Sequence, residues 1–394
     1  MTAPVQQKRS GGKGGDKQQP LRALPFAAGV QPSEFQSYDE TRTINTGTQT
    51  LPTYTIEPTG FLENIYVLVE TTGTANSSGA NVTFSQNGPF NALDLIELKD
   101  AGPVGSLVGG AQFNGWDLAM ADKYGGYSHN DDPRTGPNYL ATTGTSTSGG
   151  AFRFILRIPI ELVRRDAVGS LVNKSSSTTY KLYMRLADQA TIYGTVPTGS
   201  QHSVRVRVIP ESYWDPDDTD RLLGRALTQL PPLSGTTQFW TKSETTTGSG
   251  AVSPMLSTGL GNLIRNIVFV LVDSNLSRSQ GESDWPNPFI LKFEANEIVN
   301  RLARHWRYLI AAKYGYGHTG ALEAVGGQDN GVFPLWFNDD FGLKPGAETR
   351  RRYLRTSPDS RLQLGCSIGG TGAHTLYTLV NHVAPAGDPA TLIV

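Results

Sequence analysis

The chain has 394 residues, 38% of them hydrophobic and 18% charged, which allows more than one buried core and excludes wholesale disorder. A formal net charge of -1 leaves the whole molecule without the positive field that grips nucleic acid, and the single cysteine, Cys366, excludes an intramolecular disulfide framework and a multi-cysteine metal site. With Gly 44 and Pro 24 against only 4 Met, the composition favours many short strands joined by turns over long helices.

Residues 1–35 stand apart. Lys8, Arg9, Lys13, Lys17 and Arg22 face a lone Asp16, among interleaved Gly and Gln. Such a segment buries too little apolar area to offset its ordering entropy. Two readings stay open: a solvated tail, or an arm that orders on a neighbour or an anionic surface. The first twenty residues lack the apolar centre of a signal peptide, so the expectation is a soluble chain made without secretion.

From about residue 36, strand-like runs dominate: 61–70 (FLENIYVLVE), 93–99 (LDLIELK), 152–160 (FRFILRIPI), 179–186 and 203–209 (SVRVRVI). The last alternates Val with Ser and Arg, placing valines on one face. A short helix is expected at 118–123, after Trp116. Residues 213–233, with four Asp and three Pro, then a Gly/Ser/Thr-rich stretch to 250, read as a connector. Beyond it, 267–272 (IVFVLV) is apolar on both faces, as for a strand inside a sandwich, and is far too short to span a bilayer. A longer helix is expected over 297–313, with Ile298, Leu302, His305/Trp306, Leu309 and Ile310 near one stripe and Gly315 as its stop.

The two halves resemble each other. Thr59-Gly60, Asn64-Ile65 and Val67-Leu68-Val69-Glu70 recur as Thr258-Gly259, Asn266-Ile267 and Val270-Leu271-Val272-Asp273. Pro89-Phe90 and Pro288-Phe289 each precede an apolar strand. Trp116 stands seven residues before Lys123-Tyr124-Gly125, and Trp306 seven before Lys313-Tyr314-Gly315. Three matches in one order point to a duplicated domain. The expected fold is all-β: two eight-stranded jelly-roll sandwiches in tandem, each with a helix in a connecting loop. The boundaries are an arm at 1–35, a first roll at 36–212, a connector at 213–250 and a second roll at 251–394.

Signs of chemistry are few. The six histidines are scattered, with His305 alone on the long helix, so satisfied or surface roles outweigh metal ligation. Asp215, Asp217, Asp218 and Asp220 lack the glycine and late glutamate of a calcium loop. Asp131-Asp132 and Asp339-Asp340 sit in turn-like contexts rather than as a glycosidase pair. No nucleophile elbow or phosphate loop is present, and Cys366, in a strand-like run, reads as a buried inert thiol. No catalytic residue, cofactor or metal site is assigned.

Residues 84–99 (FSQNGPFNALDLIELK), Gly115-Trp116-Asp117-Leu118 and Thr349-Arg350-Arg351-Arg352 resemble stretches of the double jelly-roll major capsid proteins of tailless, internal-membrane (tectivirus-like) phages. That resemblance implies a homotrimeric, pseudo-hexagonal capsomer that packs with neighbouring trimers into an icosahedral shell. It also implies minor capsid and vertex proteins as partners, no specific nucleic acid, and a virion location after synthesis in the host cytoplasm. Residues 1–32 become the arm, with Lys8, Arg9, Lys13, Lys17 and Arg22 against neighbours or an internal lipid membrane. Arg350, Arg351 and Arg352 become an inter-subunit site. The leading alternative is a double-sandwich glycan-binding or glycan-hydrolysing protein; a spike or fibre head, with no stalk repeat in sight, ranks behind it.

Overall fold

A computed structural model describes residues 26, 30–72, 81–100, 105–109, 113–127, 132–162, 167–174, 176, 179–197, 202–214, 236–285, 288–316, 322–338 and 350–383. In chain order the first half holds β1 (Pro32–Glu34), β2 (Tyr38–Thr43), β3 (Gln49–Thr50), β4 (Tyr54–Thr55), β5 (Gly60–Thr72), β6 (Thr83–Phe84), β7 (Leu93–Asp100) and β8 (Ser106–Gly109). Helix α1 (Gly115–Gly125) follows, then β9 (Leu140–Ala141), β10 (Phe152–Pro159), β11 (Leu171–Asn173), β12 (Tyr180–Leu186), α2 (Gln189–Ile192), β13 (Tyr193–Thr195) and β14 (Ser203–Tyr213). The second half holds β15 (Gln238–Thr247), β16 (Gly250–Val252), β17 (Met255–Leu256), β18 (Leu263–Val272), α3 (Arg278–Asp284), β19 (Phe289–Phe293) and β20 (Asn296–Arg301). It ends with α4 (Ala303–Tyr314), β21 (Val332–Trp336), β22 (Leu354–Arg355), β23 (Leu362–Ile368) and β24 (His374–Val383).

The pairing is that of two jelly rolls. In the first, β2, β14, β5 and β10 make one sheet, and β3/β4, β12, β7 and β8 make the other. In the second, β15, β24, β18 and β21 face β16/β17, β23, β19 and β20. Alternating side chains fill each sandwich: Val204, Val206 and Val208 of β14 are buried, with Arg205 and Arg207 outward. The likeness between halves extends to irregularities. Glu63 bulges out of the β5–β14 ladder immediately before Asn64, and Arg265 bulges out of the β18–β24 ladder immediately before Asn266. Next to each bulge a short second strand pairs the same end of the long one, β11 on Leu62 and β22 on Ile264.

Between the rolls, β8 pairs in parallel with β15, Val108 against Trp240 and Gly109 against Thr241. One sheet of the first roll thereby continues into one sheet of the second, ten strands in all. Residues 267–272 are buried on both faces for this reason: one face meets the second roll's own core, the other meets the first roll.

Four expectations change. The helix expected over 297–313 is in fact an edge strand, β20, followed by α4. The turn at Glu294 and Ala295 folds 296–301 back on β19, and Ile298 and Leu302 are exposed, so they were never part of a core stripe. The stretch given to a connector ends in the ten-residue β15, whose backbone is needed to pair β24 and β8. At the other end, Pro32–Glu34, given to the arm, is a strand paired with β14, and Phe26 is buried against Phe61 and Tyr213 at ring distances of 4.9 and 5.3 Å. The short helix is longer than 118–123, running from Gly115 to Gly125.

Candidate functional site: the junction between the rolls

Helix α1 belongs to the first roll and is clamped at both ends by the second. At its start, Asn114 and Asp117 form a capping box: each side chain accepts the other's backbone N–H at 2.9 Å. Asp117 Oδ2 also accepts from Lys242 Nζ of β15 at 2.8 Å. At its end, carbonyls that a helix leaves unsatisfied receive donors from the other roll. Tyr124 O accepts from Asn266 Nδ2 at 3.0 Å and Tyr314 OH at 2.8 Å, and Gly125 O accepts from Arg265 Nη1 at 3.1 Å. The Arg265 charge at a helix C-terminus is also favourable to the dipole. Gly125 permits the approach, since a Cβ there would lie 2.9 Å from the Tyr127 ring and 3.0 Å from Trp240.

Lys123, fully buried, anchors an ion-pair network across the junction. Its Nζ lies 2.8 Å from Asp329 Oδ2 and 3.3 Å from Asp132 Oδ2, and donates to Gly327 O at 2.6 Å. Arg134 grips Asp132 with Nε and Nη2 and reaches Asp329 at 3.4 Å. Arg278 stacks on Trp116, 4.7 Å from its ring, and pairs with Glu323 at 2.5 Å. Burial opposes ionisation of Asp329, but Lys123, Arg134 and Arg278 outweigh it and hold this carboxyl well below the usual range. For Asp132 burial is likewise outweighed, by Arg134 and Lys123. Charges desolvated this thoroughly are tolerable only when paired and hydrogen-bonded, as they are here. Gln238 completes the seam: its Nε2 donates to Ile160 O and Glu161 O, while its Oε1 accepts from Tyr127 and Asn381.

The residues singled out from sequence lie elsewhere. Lys8, Arg9, Lys13, Lys17 and Arg22 fall outside the described residues. Arg350, Arg351 and Arg352 form one short 3-10 turn before β22, none of them buried. Asp215, Asp217, Asp218, Asp220, Asp131, Asp339 and Asp340 are also outside the described residues. Asp132 is more than a turn carboxylate, being buried in the network above. Cys366 is half-buried on β23, and burial pushes its thiol up to about 11. His382 is held down at about 4 by burial, with Nδ1 2.9 Å from Asn262 Nδ2. Among the described residues, no group of three His, Cys, Asp or Glu is placed to hold a metal ion. A cleft of about 810 Å³ between the rolls is lined by Asn114, Asp117, Lys242, Arg278 and Tyr377, all engaged in the contacts of the junction. Sequence reasoning marked Lys123 only as a repeat word and passed over Arg134, Arg278, Glu323 and Asp329. The repeated Trp to Lys-Tyr-Gly spacing was the available signal, since it ends at this network.

No family model matches the chain, and no curated protein sequence matches it. Solved structures do. The chain is similar to the structure of Sulfolobus Turreted Icosahedral Virus, with a TM-score of 0.57 at 14% identity over 92% of this chain and 95% of that one. It is similar to the PBCV-1 virus capsid model, with a TM-score of 0.54 at 12% identity over 90% and 94% of the two chains. It is also similar to the major capsid protein of bacteriophage PM2, with a TM-score of 0.51 at 9% identity over 90% and 98%. At these identities the likeness establishes the fold, a double jelly roll along nearly the whole of each chain.

Proposed function

We propose that this chain is a major capsid protein. Three copies form a pseudo-hexagonal capsomer, and capsomers tile an icosahedral virion shell. The observation that carries the reading is the end-to-end match of both rolls to proteins of virus capsids. The junction supports it, because a shell subunit must present fixed faces to its neighbours, and α1, Lys123 and the continuous sheet make one block of two rolls. Many identical modest contacts then add to a firm assembly. The role is structural rather than catalytic. The basic residues from Lys8 to Arg22 contact neighbouring subunits or an internal membrane, each worth about 1 kcal/mol at an anionic surface. Arg350, Arg351 and Arg352 face an adjoining subunit, and minor capsid and vertex proteins complete the shell. Light scattering on the purified chain tests this: the expected mass is three times the 42.5 kDa of one chain, and shells are expected by electron microscopy. A persistent monomer that never forms particles overturns it.

A further inference from the structure

The two copies of the jelly roll are built alike but covered unlike. All eleven residues of α1 are buried, whereas α4, its counterpart by the shared Trp to Lys-Tyr-Gly spacing, buries only Trp306, Ile310 and Tyr314. Leu118 of α1 is fully buried, yet Tyr308 at the matching place on α4 is 66% exposed. The strand before each helix differs in the same way. β8 is paired with β15, but β20 forms the free edge of its sheet. The receiving surfaces show the converse. Val268, Val270 and Val272, on the outer face of β18, are buried against the first roll, while Tyr66, Leu68 and Glu70, which hold the same places on β5 counted from the bulges at Glu63 and Arg265, are only half-buried. Ile209 of β14 and Ile155 of β10 flank them, also half-buried.

From this mismatch we propose that the face formed by α4 and β20 docks on the outer face of the β2–β14–β5–β10 sheet of a second copy of this chain. It repeats between molecules the contact that α1 and β8 make within one. The proposal rests on the reading of the chain as a self-assembling subunit and says which surfaces meet.

The occupant follows from the interior junction. A second copy carries the one surface whose counterpart is already seen to fit. Each molecule offers one donor face and one receiving face, so the contact is heterologous, and in a trimer three such junctions alternate with the three inside the chains to close the ring. Charge agrees. Arg301 of β20 lies between the rings of Trp306 and Trp336, at 5.7 and 5.5 Å, and its Nη1 is buried with no hydrogen-bond partner among the described residues. Arg304 and His305 stand exposed beside it. The receiving edge carries Glu34 and Glu211, opposite each other in register, and contact with Glu211 raises the Glu34 carboxyl above its ordinary range. A cation brought between these carboxylates would relieve both sides.

Cross-linking tests the faces directly. In a Cys366→Ala background, Tyr308→Cys and Leu68→Cys are placed on one chain and treated with a short bismaleimide. Covalent dimers and trimers are expected on a denaturing gel from the double variant, and none from either single variant. Trimers by light scattering without covalent products would overturn the proposed faces and leave the capsid reading standing; monomers that never form shells would overturn both. Separately, Tyr308→Glu, at an exposed site, is expected to yield monomers with the thermal midpoint of the wild-type monomer. The concentration at which trimers dissociate should rise by at least about tenfold. An unchanged trimer would overturn the proposal.

Discussion

Asp122, on the last turn of α1, is buried with Oδ2 accepting the Arg157 N–H at 2.9 Å and Oδ1 without a partner among the described residues. Burial raises its carboxyl to about 7, more than the nearby Arg157 charge offsets. Its folded pKa lies above its unfolded one, so the folded state binds the proton more tightly. The stability this contributes is full below about pH 4 and is lost as pH rises through 7, up to about 4 kcal/mol in all. Asp122→Asn keeps an acceptor for Arg157 and should remove that loss. Its denaturant midpoint is expected to exceed that of the wild type at pH 8, with the gap narrowing towards pH 5; a midpoint below the wild type at pH 8 would refute the assignment. His202 and His382 act oppositely, because burial lowers both. Their contribution is present above about pH 6.5 and lost as pH falls through their folded values. The Lys123 network adds its own loss only at more acid pH, where Asp132 and Asp329 take up protons.

Elements in matching places of the two rolls behave differently according to what covers them. Helix α1 carries a capping box, a C-terminal Gly126 at φ 79° and donors from the other roll at its end. Helix α4 has no side-chain N-cap bond; Leu302, in extended conformation, stands in that place. The capping box is therefore an element-level determinant of the junction, because it orients Asp117 towards Lys242. Asn114→Ala should lower stability by about 1 kcal/mol, in the usual range for a lost N-cap, read as a shift in the denaturant midpoint without a change in slope. No shift would mean that Lys242 alone fixes the helix start. The misread helix over 297–313 belongs at this scale as well. Periodicity placed Ile298 and Leu302 on a stripe with Trp306, but the hairpin with β19 takes the backbone of 296–301 first, and a short apolar run cannot by itself tell strand from helix.

At the scale of the whole molecule, the N-terminal region divides in two. Phe26 seals a small cluster with Phe61, Ala167 and Tyr213, and Pro32–Glu34 extends a sheet, so both belong to the first roll. The basic residues from Lys8 to Arg22 precede them and form the proposed arm. Deleting residues 1–24 should leave the thermal midpoint and the trimer intact while reducing the yield of closed shells, counted by electron microscopy. Phe26→Ala should instead destabilise the roll by about 3 kcal/mol, as for a buried phenylalanine. A truncation that unfolds the chain would place the arm in the core.

Composition, period-two alternation and the repeated words around Asn64, Pro89 and Trp116 were enough to read an all-β chain of two jelly rolls, because strands and turns follow from local chemistry and matched strands carry matched words. The equal spacing to Lys123-Tyr124-Gly125 even pointed at the junction. What it could not reveal was that this lysine is buried between Asp132 and Asp329 whereas Lys313 is not, or that Val268 is covered and Tyr66 only half so. Those outcomes depend on which roll lies against which. Two matched sequences acquire different surroundings only when residues far apart in the chain are brought together, and it is burial and pairing in that arrangement that decide the charge state and exposure of each side chain.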